Sequence, residues 1–225
     1  MVVRRFLNER IEFIRQLYDT TTAPYIECKR KIEAEEEPYI PPYSEDGEPP
    51  FLDEWLEANE SILVIGCLCI SMLSASFHLY FKTWEKRVGI PVDESLQPTF
   101  NKSGWLKGYM AYFSRHFGVE FDELPADLEI LQEVILLRNR AQHPEELAAN
   151  LPSYSKNDLE KLRHPFFMDE SERSLLSDID DQERSWLMPP TFTVTPEKLY
   201  KAIAEVQRFT EWLEGEETNA SGAQM

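Results

Sequence analysis

Residues 51–88 carry the longest helical pattern in the chain, and inside it Ile62–Phe81 (ILVIGCLCISMLSASFHLYF) is apolar almost without a break. Such a run must leave water, because each Å² of apolar surface withdrawn from solvent is worth about 25 cal/mol. It is also long enough for a bilayer span. Ser71, Ser74, Ser76 and His78 interrupt it, however, and Gly66 and Ala75 offer small side chains for close helix packing. The pattern therefore predicts the central helix of a bundle, buried on most sides, with a membrane-associated helical protein as the distant alternative. Its first turns are acidic (Asp53, Glu54, Glu57, Glu60) and its last basic (Lys82, Lys86, Arg87), as the helix dipole prefers, and Gly89-Ile-Pro91 ends it. His78 reads as a hydrogen-bonded core or interface histidine.

The rest of the chain is built around that helix. Phe6 or Leu7, Ile11, Ile14, Leu17 and Tyr18 recur at helical spacing over residues 2–20. Asp19–Pro24 then reads as an interruption, with Thr22 capping a second helix that runs to about Glu37. These N-terminal helices, residues 1–37, pack on the bundle. Residues 38–50 (PYIPPYSEDGEPP) form an acidic, proline-rich linker, and the helical domain covers 51–214. Ile90–Gly104 reads as a loop, and Trp105–Phe117 as an aromatic helix closed by Gly118. Residues 144–190 form a charged insertion, with Ser155 capping a short helix and Asp178–Glu183 as a solvated acidic run. Thr191–Thr195 is briefly strand-like. Thr195-Pro196 starts a last helix carrying Leu199, Ile203, Val206 and Phe209 on one side, and 215–225 reads as a disordered tail. The expected fold is all-α, an up-and-down helical bundle of about five main helices.

Composition removes several functions. A net charge of −18 on 225 residues makes an extended basic nucleic-acid footprint implausible, so any such contact must be local. Cys28, Cys67 and Cys69 are odd in number, and the last two point to different faces of one helix, so they read as reduced core thiols. No zinc pattern or nucleotide-binding glycine loop occurs. Met1–Phe13 resembles no signal peptide, a cytoplasmic location is expected, and the Asn-x-Ser triplets at Asn59, Asn101 and Asn219 read as chance matches.

One stretch combines an apolar body with a polar end: Ala126–Pro144, ADLEILQEVILLRNRAQHP. Leu128, Leu131 and Ile135, and Ile130, Val134 and Leu137, lie on helical rows, so most of its girth is buried. Arg138, Asn139, Arg140 and His143 then reach the edge of the core. Asn139 and His143 are four apart and share a face, and Arg138 sits one position round, on the row of Ile135. Pro144 disfavours helical geometry at His143, which puts the imidazole at the helix terminus. These groups can also simply hydrogen-bond across an interface or pair with Glu145 and Glu146.

Arg138-Asn-Arg-Ala-Gln-His143 resembles the R-x4–6-H motif, often R-N-x3-H, of HEPN domains. The order of elements over residues 51–214 fits as well: a long apolar helix ending in FHLYFKTW, the motif on a later helix, and a last helix opening with VTPEKL. The resemblance implies a HEPN-like fold and a metal-independent endoribonuclease without cofactors, cutting single-stranded or loop RNA by 2′-hydroxyl attack. Many members are toxins of toxin–antitoxin pairs or phage-defence effectors, so an antitoxin-like partner is implied. It also implies a homodimer with a composite site and no membrane.

Carried over, His143 is the acid/base, Arg138 the clamp on the transition state and Asn139 a positioning donor. The chemistry suits them: histidine exchanges protons near neutral pH, and a guanidinium stabilises phosphorane charge. Arg140 matches no required position and could serve a phosphate contact or a surface salt bridge. Lys156, Lys161 and Arg163 could relieve the negative surface locally. The tyrosine that some members carry two residues after the histidine is replaced by Glu145. The alternative reading is a non-catalytic HEPN-like module that binds a protein partner or a nucleotide.

Overall fold

The computed structural model describes residues 2–42, 49–143, 150–162, 164–178 and 189–222. They form an all-α bundle of five main helices: α1 (Val2–Glu33), α2 (Leu52–Val88), α3 (Gln97–Phe117), α4 (Leu128–Gln142) and, last in the chain, α7 (Pro196–Gly222). Two short helices, α5 (Lys156–Lys161) and α6 (Glu170–Asp178), lie between α4 and α7. α1 runs along α2, α4 packs on both α2 and α7, and α3 covers the end of α2. Ile70, Leu73, Phe77 and Phe81 of α2, Leu131, Val134 and Leu137 of α4, and Ile203, Val206 and Phe209 of α7 fill one core.

Two expected breaks behave differently from the sequence reading. α1 does not stop at Asp19–Pro24; it continues through Pro24 to Glu33. Thr22 is buried, and instead of capping a new helix its hydroxyl donates to the carbonyl of Tyr18 at 2.8 Å. Pro24 is exposed, so the carbonyl that loses its intrahelical partner there faces water, and packing on α2 carries the helix across the defect. The segment before Trp105 is not a loop but helical from Gln97, with one non-helical residue, Gly104, at φ 82°. That positive φ turns 97–103 back so that Phe100 packs on Gly108, where an added Cβ would meet its ring at 2.5 Å. Gly118 closes α3 at φ 67°, as expected. The backbone of α7 runs on past Gly215 to Gly222; one glycine costs a helix only about 1 kcal/mol.

Two further readings change with packing. Thr191–Thr195 forms no strand; it meets residues 152–154 in a single antiparallel bridge between Ser153 and Thr191. Its other flank lies on α2, which explains Gly66. A Cβ on Gly66 would sit 2.6 Å from the carbonyl oxygen of Val194 and 2.8 Å from that residue's Cβ. The small residue therefore admits an extended segment, not a neighbouring helix, and Ala75 faces solvent. The acidic linker residues 43–48, Pro144–Ala149, Arg163 and most of the acidic run after Asp178 lie outside the described residues.

A backbone carbonyl cannot rotate aside as a side chain can. Gly66→Ala is expected to lower unfolding free energy by about 1–3 kcal/mol, read from denaturant titration, while Ala75→Leu on the open face stays within roughly 0.5 kcal/mol of wild type.

Candidate functional site

The site is built on α4. Asp127 caps its N-terminus, accepting from the N–H groups of Glu129 at 2.9 Å and Ile130 at 3.3 Å. Its own N–H donates to Glu205 of α7 at 3.0 Å, and Glu205, fully buried, is matched by Lys201 and Arg208. Ile130, Leu131, Val134 and Leu137 are buried, as their spacing predicts, while Leu128 and Ile135 are partly covered. Among them sits Glu133, a carboxylate at 0% exposure on the apolar face.

Glu133 has a specific task. Its carboxylate accepts from the Tyr154 hydroxyl at 2.7 Å and from the backbone N–H groups of Phe166 at 2.5 Å and Phe167 at 3.3 Å. Burial pushes its pKa upward, and those three donors pull it back. Burial and the adjacent carboxylate push the Tyr154 hydroxyl far up, so it remains a donor. The described part of the charged insertion is thereby pinned to α4, and Tyr154, Phe167 and Met168 enter the core.

At the far end of α4 the four polar residues part company. Arg140 turns to α5, donating from Nε at 3.0 Å and Nη2 at 2.6 Å to Asp158. Of the two roles open to it, the structure shows a salt bridge. Burial alone would raise the Asp158 pKa, but Ser155 and Arg140 outweigh it and hold the carboxyl below its ordinary value. Ser155 and Asp158 also form the capping box of α5, the short helix that carries the exposed Lys156 and Lys161.

Arg138 takes the other direction. Its Nη1 donates to Asn139 Oδ1 at 3.2 Å, and its Nε is buried without a hydrogen-bond partner. No described carboxylate pairs with it. His143 caps the helix in a non-helical conformation, φ −130° and ψ 67°. Its N–H bonds to the carbonyls of Asn139 and Arg140, and its ring is exposed. The pairing with Glu145 or Glu146 weighed from the sequence lies outside the described residues.

Sequence reasoning missed one neighbour. His78 of α2 is half-buried, and its ring stacks on Trp105 of α3 with centroids 4.6 Å apart and planes 16° from parallel. It makes no hydrogen bond to a described residue, so stacking, not the expected hydrogen bond, holds it. Burial lowers its pKa, and the charges of Lys82 and Arg138 lower it further. A guanidinium, an imidazole and an indole thus come together where α2, α3 and α4 meet, with Asn139 bonded to the guanidinium. No spacing signal could have joined residues 78, 105 and 138.

Among the described residues no group of three or more His, Cys, Asp or Glu could hold an ion. Cys28 is not the core thiol its sequence suggests but half-buried, its sulfur 3.2 Å from the Tyr39 hydroxyl oxygen. Burial pushes the thiols of Cys67 to about 12 and Cys69 to about 11. Compared with known proteins, the chain matches no family model, no curated protein and no solved structure.

Two measurements test this geometry. Glu133→Leu strands two backbone donors and one hydroxyl in the core, so a stability loss of about 3 kcal/mol or more is expected in urea, with Glu133→Gln intermediate. The depressed His78 pKa means that the unfolded chain binds the proton more tightly. Its contribution to stability is present above its ordinary value of 6.5 and declines as pH falls through 6.5 toward the folded value. Unfolding free energies between pH 8 and roughly 5 should therefore slope less in His78→Gln than in wild type.

Proposed function

We propose that the chain is a HEPN-type, metal-independent endoribonuclease acting on single-stranded or loop RNA, with Arg138, Asn139 and His143 as its working residues. One observation carries the reading. In a chain with 41 acidic residues, Arg140 is taken by a carboxylate while Arg138 and His143 have none among the described residues. A guanidinium kept from carboxylates remains available to a phosphate, and an exposed imidazole at a helix end remains available to exchange a proton.

The roles follow from the reaction. His143 takes the 2′-hydroxyl proton or returns one to the departing 5′-oxygen. Arg138 donates to the non-bridging oxygens as negative charge grows on phosphorus, and Asn139 orients it through the Oδ1 contact. In the homodimer that the motif implies, the second histidine would supply the complementary proton transfer. A compact target such as an RNA loop suits the acidic surface better than nonspecific RNA, since attraction at long range is weak. A toxin or phage-defence role, with an antitoxin-like partner, fits that chemistry. A second reading, a non-catalytic module for a protein partner, draws on the open apolar face of α2, where Leu68 is 58% and Leu79 48% exposed.

Cleavage of tRNA and total RNA in excess chelator discriminates the two. Wild type is expected to cut, and Arg138→Ala and His143→Ala each to lose roughly 100-fold or more in rate with folding intact. Absence of cleavage by the intact protein, or cleavage by both variants at the wild-type rate, sinks the nuclease reading and leaves the module.

A further inference from the structure

Three stretches of this acidic chain hold no Asp or Glu: residues 61–84 on α2, 95–119 across α3 and 134–143 at the end of α4. The chain has 41 acidic residues, so their absence from these three stretches leaves them crowded elsewhere. The fold brings the three together. Trp105 of α3 stacks on His78 of α2, and α4 packs on α2 so that the charge of Arg138 acts on the same imidazole. Lys82, one turn beyond His78, is the other charged group that acts there, and no carboxylate joins them.

The cations at this junction are uncommitted. Lys82 is exposed and forms no ion pair with a described residue, and Arg138 donates to no described group but Asn139. The acids that border these stretches along the chain are engaged. Glu85 accepts from the Tyr109 hydroxyl at 2.8 Å and the Val92 N–H at 3.3 Å, and Asp93 pairs with Arg115. Like charges held together without counter-ions repel, and an anion that joins them removes that cost.

The aromatic part of the junction is flat and braced. Trp105 is backed by Phe77 and Phe81 in the core, with centroids 5.5 and 5.8 Å away, and the half-buried His78 lies on it with planes 16° from parallel. Tyr109 meets the same imidazole edge-on at 6.2 Å. Burial and the two cations lower the pKa of His78, so the ring is uncharged at neutral pH and offers an aromatic face, not a further charge. An aromatic pair among cations suits a single nucleic-acid strand: bases stack on the rings and phosphates bond to the cations.

We propose that this junction of α2, α3 and α4 is the docking surface for a single strand of RNA, with a base stacked on His78 and Trp105 and the flanking phosphates held by Lys82 and Arg138. The α5 side is not that surface. Asp158 and Glu160 offset Lys156 and Lys161 there, and Asp158 already holds Arg140. An anionic lipid surface would satisfy the cations but leave the half-buried stack without a role. RNA as the ligand class rests on the nuclease reading; docking is tested with a strand that cannot be cut, so the two fail separately.

Fluorescence anisotropy of a labelled 2′-O-methyl oligonucleotide of about 12 nucleotides, which lacks the attacking hydroxyl, measures docking on the full chain. At about 50 mM salt, wild type is expected to bind with a dissociation constant on the order of 10 μM. Lys82→Glu is expected to weaken binding about tenfold or more and to reduce the salt slope by about one. His78→Gln removes the stacking face and should also cost about tenfold, whereas His78→Tyr keeps a ring and should stay within about threefold of wild type. Lys161→Glu on α5 should change binding less than about twofold.

Strand binding indifferent to Lys82→Glu, equal losses from Lys82→Glu and Lys161→Glu, or equal losses from His78→Gln and His78→Tyr would each overturn the proposal while leaving the nuclease reading in place. A strand still free at about 300 μM wild type overturns it too, and removes the nuclease reading as well only if ordinary RNA is also left uncut. Binding of wild type, but not Lys82→Glu, to phosphatidylserine vesicles in place of the oligonucleotide would assign the surface to lipid and overturn the proposal.

Discussion

A single buried carboxylate organises the half of the molecule that the helix pattern leaves undefined. Glu133 lies on the apolar face of α4, where an ionised group without donors would cost several kcal/mol. The chain supplies three donors from residues 154, 166 and 167. Satisfying them fixes the approach of a long polar connection to the bundle, and Tyr154, Phe167 and Met168 then bury against the helices. The same contact sets the rotation of α4. With Glu133 facing inward, Val134 and Leu137 share its side, and Arg138 and His143 emerge at the rim.

That arrangement sorts the basic residues of the motif by what lies within reach. Arg140 meets Asp158 because Ser155 and Asp158 cap α5 beside it, so its charge serves structure. Arg138 points toward α2 and finds the half-buried His78 stacked on Trp105 instead of a carboxylate. One cation is neutralised and its neighbour two residues earlier is not. The difference arises from helical geometry, since two residues along a helix is about 200° of rotation.

The central helix shows how one pattern can serve two surfaces. Phe77 and Phe81 contact each other and Phe209 in the core, and Gly66 admits the extended segment at Val194. The opposite side of α2 keeps Leu68, Ala75 and Leu79 in solvent. Apolar residues all round a helix are what a core helix, a membrane span and a helix with an outside partner have in common. Composition therefore could not separate these cases; burial does, since within Ile62–Phe81 only Leu68, Ala75 and Leu79 are exposed and the helix is covered on most sides.

Local chemistry fixed much of this protein without any tertiary information. The 3.6-residue period of the apolar rows specified an all-α bundle with five main helices, Gly118 closed α3, Ser155 capped α5, and Pro144 left His143 at a helix end. Those signals act within one or two turns, so they survive in the sequence. Tertiary structure decided the rest, because contacts between distant residues leave no periodic trace. Packing on α2 carried α1 through Pro24, Phe100 on Gly108 folded the start of α3 back, and Glu133 captured residues 154 and 166–167. It also determined which arginine of the motif met a carboxylate. The sequence could mark Arg138 and Arg140 as neighbours, but only the three-dimensional positions of Asp158 and His78 gave them different surroundings.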